Sequence, residues 1–151
     1  MLDRFARFTS AIFSIHRSIQ KIQRQEMAKY SLKGAATQYL LAMARHPEGI
    51  TAATLCEVCD RDKAGVSRTL SQMEDQGLIR RTGGDTPYRA LLTLTDTGAQ
   101  IARSVSQKAA TAVALAGKEL DEDRRQDFYR ILQILETQLD ALSDRGLPDE
   151  I

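Results

Sequence analysis

Two stretches of the sequence carry residues whose types and spacing could do chemistry, and the first is Cys56-Glu57-Val58-Cys59. Cysteines at this spacing occur in redox sites and in metal sites. A zinc site needs about four ligands, and the only histidines, His16 and His46, are remote in sequence and show no paired spacing. A thioredoxin-like redox site needs a βαβ context, which the sequence lacks. Because a reduced cysteine is a good small core residue, we interpret both as core residues; a redox switch is the second interpretation and a metal site the third.

The second stretch begins at Asp62, whose carboxylate can accept the free N–H groups in the first turn of a helix. Val66, Leu70 and Met73 recur at helical spacing and predict the buried stripe of that helix. Gly77 is predicted to end it. The opposite face is short and polar, so it can approach another surface closely. That face consists of Ala64, Ser67, Arg68, Ser71 and Gln72.

The neighbouring segments predict the elements that position this helix. A short helix, capped by Thr51, is expected over residues 51–58 and is separated from Asp62 by three residues. Downstream, two strands over residues 78–81 and 88–94 flank a turn-rich, partly basic loop. Helix, short turn, helix and β-hairpin make a winged helix-turn-helix, whose polar second helix would enter a DNA major groove.

Residues 55–98 resemble the MarR family of bacterial transcription regulators. The resemblance is carried by residues 62–68 (DKAGVSR), 73–81 (MEDQGLIRR), 89–90 (RA) and 94–98 (LTDTG). Their order and spacing together are specific to the family, and the resemblance extends more loosely over nearly the whole chain. One departure is Pro87, which stands where the family usually has an aspartate two residues before the wing arginine, matched here by Arg89.

This resemblance implies a homodimeric repressor that binds double-stranded DNA. Arg68 is expected to reach a base edge or a phosphate, Lys63 a phosphate, and Arg89 the flanking minor groove. In the alternative interpretation, Arg89 only pairs with Asp85 within the wing. The full set of expected DNA-binding residues is Lys63, Ala64, Gly65, Ser67, Arg68, Ser71, Gln72 and Arg89.

The resemblance also implies release from DNA by a small, often aromatic anion that binds between the dimer helices and the DNA-binding lobe. Candidate lining residues are His16, Arg17, Tyr39 and Met43, because they offer cations and a polarisable wall on the first two helices. All four could serve structure instead, and His16 is then a partly exposed helix histidine. No cofactor and no metal are expected.

The two ends of the chain predict dimerisation helices. On a first helix over residues 2–29, a seam with heptad spacing needs a partner helix; it consists of Phe5, Phe8, Ile12, Ile15, Ile19 and Ile22. A last helix, starting at Asp121 or Asp123, carries an apolar stripe from Phe128 to Leu142. We therefore expect a mainly α fold with a small β-hairpin wing, in a single domain over residues 1–151. Residues 1–32 and 118–146 would form the dimerisation helices, and residues 33–117 the winged-helix lobe and connecting helix.

Two further helices complete the prediction. One begins at Ser31 or Lys33 and ends before Pro47, since a proline disfavours helix at the preceding residue. The other is capped by Thr95 and runs to about Gly117.

The charge distribution is uneven although the net charge is only +1. Residues 1–33 carry seven Lys/Arg against two acids, and residues 119–151 carry ten acids against four Arg. This asymmetry fits a protein that shows one face to a polyanion, and equally two oppositely charged helices that pack together. There is no apolar run of about 18 residues and no signal-peptide core, so we expect a cytoplasmic protein that does not bind membranes.

An enzyme is not expected. The sequence lacks a Ser/His/Asp set, a phosphate-binding glycine loop and carboxylates clustered at catalytic spacing. Two other functions stay open, namely a thiol-based redox-sensing regulator that uses Cys56 and Cys59, and a winged-helix protein-docking module. Docking would require an apolar surface over residues 62–76, whereas these residues are small and polar.

Overall fold

The computed structural model describes residues 2–86 and 89–146, apart from the side chains of Leu2 and Phe5. This part of the chain contains six helices and three short strands. In chain order they are α1 (Leu2–Ala28), α2 (Ala36–Arg45), β1 (Ile50–Thr51), α3 (Ala52–Val58), α4 (Lys63–Asp75), β2 (Ile79–Thr82), β3 (Leu91–Leu94), α5 (Asp96–Ala116) and α6 (Glu122–Arg145). The predicted mainly α fold with a small β wing is confirmed. None of the described helices is both long and apolar enough to cross a membrane.

The chain divides into two compact units, Met1–Lys108 and Ala109–Ile151. Both helices of the helix-turn-helix contribute side chains to the core of the first unit. As the helical spacing predicts, the stripe on α4 is completely buried; it consists of Val66, Leu70 and Met73. The stripe belongs to one apolar cluster that also includes Met27, Tyr39, Leu40, Leu55 and Leu92. One side of α4 is therefore fixed in the core, and the other side faces outward.

Side chains at the starts of α3 and α4 satisfy backbone N–H groups that have no partner within the helix. The Thr54 amide donates to Thr51 Oγ1 at 3.1 Å, and the Gly65 amide donates to Asp62 Oδ1 at 2.7 Å. Both predicted caps are confirmed. The turn between the two helices passes through Asp60, which has a φ of +47°, a conformation that aspartate adopts more readily than most residues.

The three strands form one antiparallel sheet in the order β1-β3-β2. Ile79 of β2 lies opposite Leu94 of β3, and Ile50 of β1 lies opposite Leu92. The strand β1 was not predicted from the sequence, because its two residues are too few to leave a periodic pattern. The second wing strand begins at Leu91 and not at residue 88, since the two residues before Leu91 form a turn.

The helix α2 begins later than the sequence analysis predicts. Its expected start was Ser31 or Lys33, whereas the helix runs from Ala36 to Arg45. Ser31 has a φ of +54°, which lies outside the range of right-handed helices. The Ala36 amide donates to the Lys33 carbonyl oxygen at 3.0 Å. Residues 31–35 are therefore a turn that leads into the helix.

Thr95 joins the end of α4 to the start of α5. Its hydroxyl donates to the Gly77 carbonyl oxygen at 2.7 Å and accepts from the Gly98 amide at 3.1 Å, which confirms the predicted cap. Its own amide donates to the Leu78 carbonyl oxygen at 3.0 Å. Gly77 ends α4 as predicted, with a φ of +68°, and the Leu78 amide turns back to the Met73 carbonyl oxygen. This junction holds the two ends of the wing hairpin together.

The second unit contains the C-terminal end of α5 and all of α6. The last helix runs from Glu122 to Arg145, and Asp121, one of the two predicted starts, is its N-cap. The Arg124 amide donates to Asp121 Oδ1 at 2.9 Å. The Arg125 guanidinium donates to the carbonyl oxygens of Leu120 and Gly117, both at 3.1 Å, and so holds the turn before α6. No described residue of α6 is buried within the single chain.

Gly98 is expected to tolerate no side chain. A Cβ at this position would lie 2.0 Å from the Leu78 carbonyl oxygen, so Gly98→Ala would force the start of α5 away from the junction. We expect the free energy of unfolding to fall by about 1–3 kcal/mol, measured by chemical denaturation. Gly117→Ala is the matched control, because a Cβ there meets nothing closer than 3.4 Å. Equal stability of the two variants would contradict the close contact.

Candidate nucleic-acid interface

The outward side of α4 presents most of the residues predicted to contact DNA. Five of them are exposed, namely Lys63, Ala64, Ser67, Arg68 and Ser71. Because the opposite side of the helix is buried, α4 cannot rotate to hide them. The face offers an ammonium, a guanidinium and two hydroxyls beside one small side chain. These are groups that hydrogen-bond bases and phosphates.

Gly65 and Gln72 are half-buried, and each already has a partner within the chain. The Gly65 amide serves the cap, and a Cβ at this position would lie 2.9 Å from Asp62 Oδ2. Gln72 Nε2 donates to the Ser31 carbonyl oxygen at 2.6 Å. Gln72 therefore ties α4 to the turn between α1 and α2, which leaves its Oε1 atom to accept a hydrogen bond from another molecule.

Arg89 lies in the loop of the wing hairpin. The Arg89 and Ala90 amides both donate to the Thr86 carbonyl oxygen at 3.0 Å, so Arg89 belongs to a turn and not to β3. Its side chain is exposed, and within the described residues no ion pair joins it to Asp85. Pro87, where the chain departs from the family pattern, lies outside the described residues.

An ion pair holds the wing against α4. Arg81 Nε of β2 lies 2.7 Å from Glu74 Oε2, near the end of α4. The Arg81 side chain is only 18% exposed, so solvent screens this pair less than a fully exposed one. The base of the wing therefore has a defined position relative to the polar face of α4.

A shallow pocket of about 220 Å³ opens beside the first turns of α4, and we call it the flank pocket. Arg68 belongs both to this pocket and to the exposed face of α4, so the two surfaces are continuous. Lys33 and Arg61 line this pocket without having been predicted from the sequence, because both lie in turns whose position only the folded chain defines. The polar lining comprises Lys33, Tyr39, Arg61, Asp62, Arg68 and Thr69.

The four residues predicted to bind an effector occupy different environments. His16 and Arg17 are exposed on α1, and His16 Nε2 lies 2.7 Å from Gln20 Nε2. Tyr39 and Met43 are each only 1% exposed and belong to the core. Of the four, Tyr39 alone lines the flank pocket. The effector site stays a prediction.

Cys56 and Cys59 pack half-buried against the core and are not joined in a disulfide. Burial raises the pKa of the Cys59 thiol, which lowers its fraction of reactive thiolate at neutral pH. Among the described residues, no three histidine, cysteine, aspartate or glutamate side chains are grouped as a metal site. The burial and the raised pKa favour the interpretation of these cysteines as core residues.

Comparison with known proteins finds one matching family model and many solved structures with a similar fold. A sequence model of the MarR family matches residues 30–90, which include the helix-turn-helix and most of the wing. No curated protein sequence matches the chain. The solved structures similar to this chain include several described as MarR family transcriptional regulators.

Three of these solved structures illustrate the likeness. A MarR family transcriptional regulator from Listeria monocytogenes, complexed with 26mer DNA, is 20% identical; the match covers 95% of this chain and 97% of that one, with a TM-score of 0.79. MepR, a transcription regulator of the Staphylococcus aureus multidrug efflux pump MepA, is 17% identical over 87% and 98%, with a TM-score of 0.67. A MarR transcriptional regulator from Methanosarcina mazei Go1 is 20% identical over 89% and 90%, with a TM-score of 0.77. At these identities, the likeness shows a shared fold.

Cys59 is expected to react slowly with thiol reagents at neutral pH, because burial limits access and raises its pKa. In Cys56→Ala, Cys59 is the single thiol of the chain. Its rate of modification by a chromogenic disulfide reagent should be lower than that of a cysteine in an unstructured peptide. Unfolding the variant in urea should remove the difference. A rate above that of the peptide would contradict the core interpretation and favour a redox switch.

Proposed function

The chain belongs to the MarR family of winged-helix transcription regulators, and from that premise we propose that it is a homodimeric repressor, released from a palindromic operator by a small molecule. Members of this family regulate transcription and are not enzymes. The observation that carries DNA binding is the face of α4, which is polar and exposed on a helix whose other side is fixed in the core. The Listeria monocytogenes structure complexed with 26mer DNA supports the same partner for this chain.

In a winged helix-turn-helix, the second helix lies in the major groove with its N-terminal residues toward the base edges. Arg68 is long enough to donate two hydrogen bonds to a guanine, a contact that contributes about 1–3 kcal/mol of discrimination against the wrong base. Ser67 and Ser71 can hydrogen-bond bases or phosphates. Lys63, in the first turn, is better placed for a phosphate, where its charge adds affinity without sequence preference.

The wing would place Arg89 in the flanking minor groove. A narrow A·T-rich minor groove concentrates negative potential and attracts arginine. The aspartate that usually precedes this arginine in the family is replaced by Pro87. Two features of this chain support the placement instead, namely the turn closed by the Thr86 carbonyl oxygen and the ion pair between Arg81 and Glu74.

We infer the homodimer from large apolar side chains that the single chain leaves exposed. In the first unit, five side chains of the predicted α1 seam are each at least 36% exposed, namely Phe8, Ile12, Ile15, Ile19 and Ile22. In the second unit, α6 exposes Phe128, Ile131, Leu139 and Leu142, each by at least 39%. Rows of exposed apolar residues at helical spacing mark interaction surfaces. A second copy of the chain would cover them, and two-fold symmetry would present two α4 helices to a palindrome.

The alternative functions have less support. A protein-docking module would need an apolar surface on α4, and no large apolar side chain of α4 is exposed. A redox-sensing regulator that uses Cys56 and Cys59 would need a reactive thiolate, which the raised pKa of Cys59 opposes. Release by a small aromatic or anionic effector rests on the family resemblance. Its predicted lining stays His16, Arg17, Tyr39 and Met43.

Replacing Arg68 of α4 or Arg89 of the wing by alanine should weaken DNA binding in different ways. The test uses an operator selected from random-sequence DNA. That operator should be an imperfect palindrome with half-sites roughly 34 Å, about one helical turn, apart. Arg68→Ala should weaken binding and relax the preference at particular bases, because it removes a contact to a base edge. Arg89→Ala should weaken binding with little loss of preference and reduce the slope of log affinity against log salt by about 0.9 per subunit. Fluorescence anisotropy across a salt series measures both effects.

The matched control is Arg103→Ala, because Arg103 is exposed on α5, outside both α4 and the wing. This variant should bind like the wild type. If Arg68→Ala and Arg89→Ala also bind like the wild type, then α4 and the wing are not the DNA surface, and the docking module becomes the better hypothesis.

The dimer is tested by placing a charge within the apolar row of α1. Ile15→Glu should weaken self-association, because a buried interface would then contain an unpaired carboxylate. Ser14→Glu adds the same charge on another side of the helix and should leave association unchanged. Light scattering at micromolar concentration should give twice the 16.8 kDa chain mass for the wild type and Ser14→Glu. A well-folded wild-type monomer under these conditions would rule out the obligate dimer.

A further inference from the structure

The flank pocket gathers more positive charge than the chain itself neutralises. Lys33, Arg61 and Arg68 are exposed at this pocket, and within the described residues none of them forms an ion pair. The acid in the lining is Asp62, and its Oδ1 already accepts the Gly65 amide. Three cations around one small opening create a potential that attracts an anion.

Tyr39 adds a hydroxyl without a partner in the described part of the chain. Its side chain is only 1% exposed, lines the flank pocket and makes no hydrogen bond to another described residue. Burial raises the pKa of Tyr39 above its usual value, with smaller effects from Cys59 and Arg61, and Arg61 and Asp62 line the same pocket as Tyr39. The phenol is therefore neutral at physiological pH and available as a donor. Since Tyr39 lines the flank pocket, a ligand in the pocket can accept a hydrogen bond from this hydroxyl.

The remaining polar groups of the lining are already used within the chain. Thr69 Oγ1 donates to the Gly65 carbonyl oxygen at 3.1 Å, and the Gly65 amide donates to Asp62. A ligand in the flank pocket would therefore meet three cationic side chains and one neutral hydroxyl donor. Phosphate oxygens suit this set, because they accept charge-assisted hydrogen bonds from several donors at once.

The position of the flank pocket indicates the source of that phosphate. An α-helix with its side chains is about 10–12 Å wide, and the major groove is about 12 Å wide. A helix that lies in the groove therefore brings its flanks against the phosphate walls. The flank pocket lies beside the first turns of α4 and shares Arg68 with the polar face.

We propose that the flank pocket binds one backbone phosphate in each half-site of the operator. Tyr39 donates a hydrogen bond to this phosphate, and Lys33 and Arg61 neutralise its charge. This assignment rests on the DNA binding proposed above and adds Lys33, Tyr39 and Arg61 to the residues that contact DNA.

Methylphosphonate scanning of the selected operator tests the assignment. A neutral methylphosphonate replaces one phosphate at a time, and one position in each half-site should weaken wild-type binding about tenfold, as expected when a charge-assisted hydrogen bond is lost. At that position, Tyr39→Phe and Arg61→Gln should show little further loss, because each already lacks part of the contact. Arg103→Gln is the matched control and should follow the wild-type profile throughout.

A salt series separates the hydroxyl from the cation. Arg61→Gln should reduce the slope of log affinity against log salt by about 0.9 per half-site. Tyr39→Phe should weaken binding about tenfold with an unchanged slope, because it removes no charge. Thermal unfolding checks that Tyr39→Phe, whose ring stays in the core, is folded. Arg61→Gln alters an exposed side chain and keeps the test valid if Tyr39→Phe is unstable.

Methylphosphonate profiles in both variants that coincide with the wild-type profile would overturn the assignment while leaving DNA binding intact. A free anion has the same chemistry as the DNA phosphate. If inorganic phosphate shifts the NMR signals of the pocket residues in the wild type but not in Tyr39→Phe, and the scans coincide, the pocket binds a free anion and the assignment is wrong. A wild-type protein that binds no DNA would overturn the proposed function and this assignment together.

Discussion

The cap that Asp62 places on α4 is the interaction on which the rest of the lobe depends. The Gly65 amide donates to its carboxylate at 2.7 Å, and a cap of this kind contributes about 1 kcal/mol. The cap sets the residue at which the helix begins, and the buried stripe sets its rotation. Together they determine which side chains face outward. Because Asp62 also lines the flank pocket, a single side chain shapes two neighbouring surfaces.

The features that the sequence analysis predicted correctly depend on residues close together in the chain. The caps by Thr51, Asp62 and Thr95 each involve an amide three residues away. Gly77 ends α4 because a glycine adopts a positive φ without strain. The polar face of α4 was predictable for a related reason. Helical spacing alone separates its exposed residues from its buried ones.

The features that the sequence analysis missed depend on contacts between distant segments. The hydrogen bond from the Gln72 amide nitrogen to the Ser31 carbonyl oxygen joins residues 41 positions apart, and no local pattern predicts it. The strand β1 exists because Ile50 finds a partner in Leu92, and two residues on their own carry no periodic signal. The flank pocket requires α4, α2 and the turn before α2 to meet. The packing of the core determines such meetings, and no local spacing encodes them.

Because the hydrogen bonds of Thr95 join the two ends of the wing hairpin, the wing can change in length without moving the helices. Thr95 contacts Gly77, Leu78 and Gly98, so the chain segments entering and leaving the hairpin are joined at its base. Residues inserted at the hairpin tip would lengthen a loop that is already closed, and doubling the length of such a loop costs only about 0.6 kcal/mol. The wing is therefore the part of this lobe that evolution can lengthen, shorten or recharge at little cost, while α4 keeps its position.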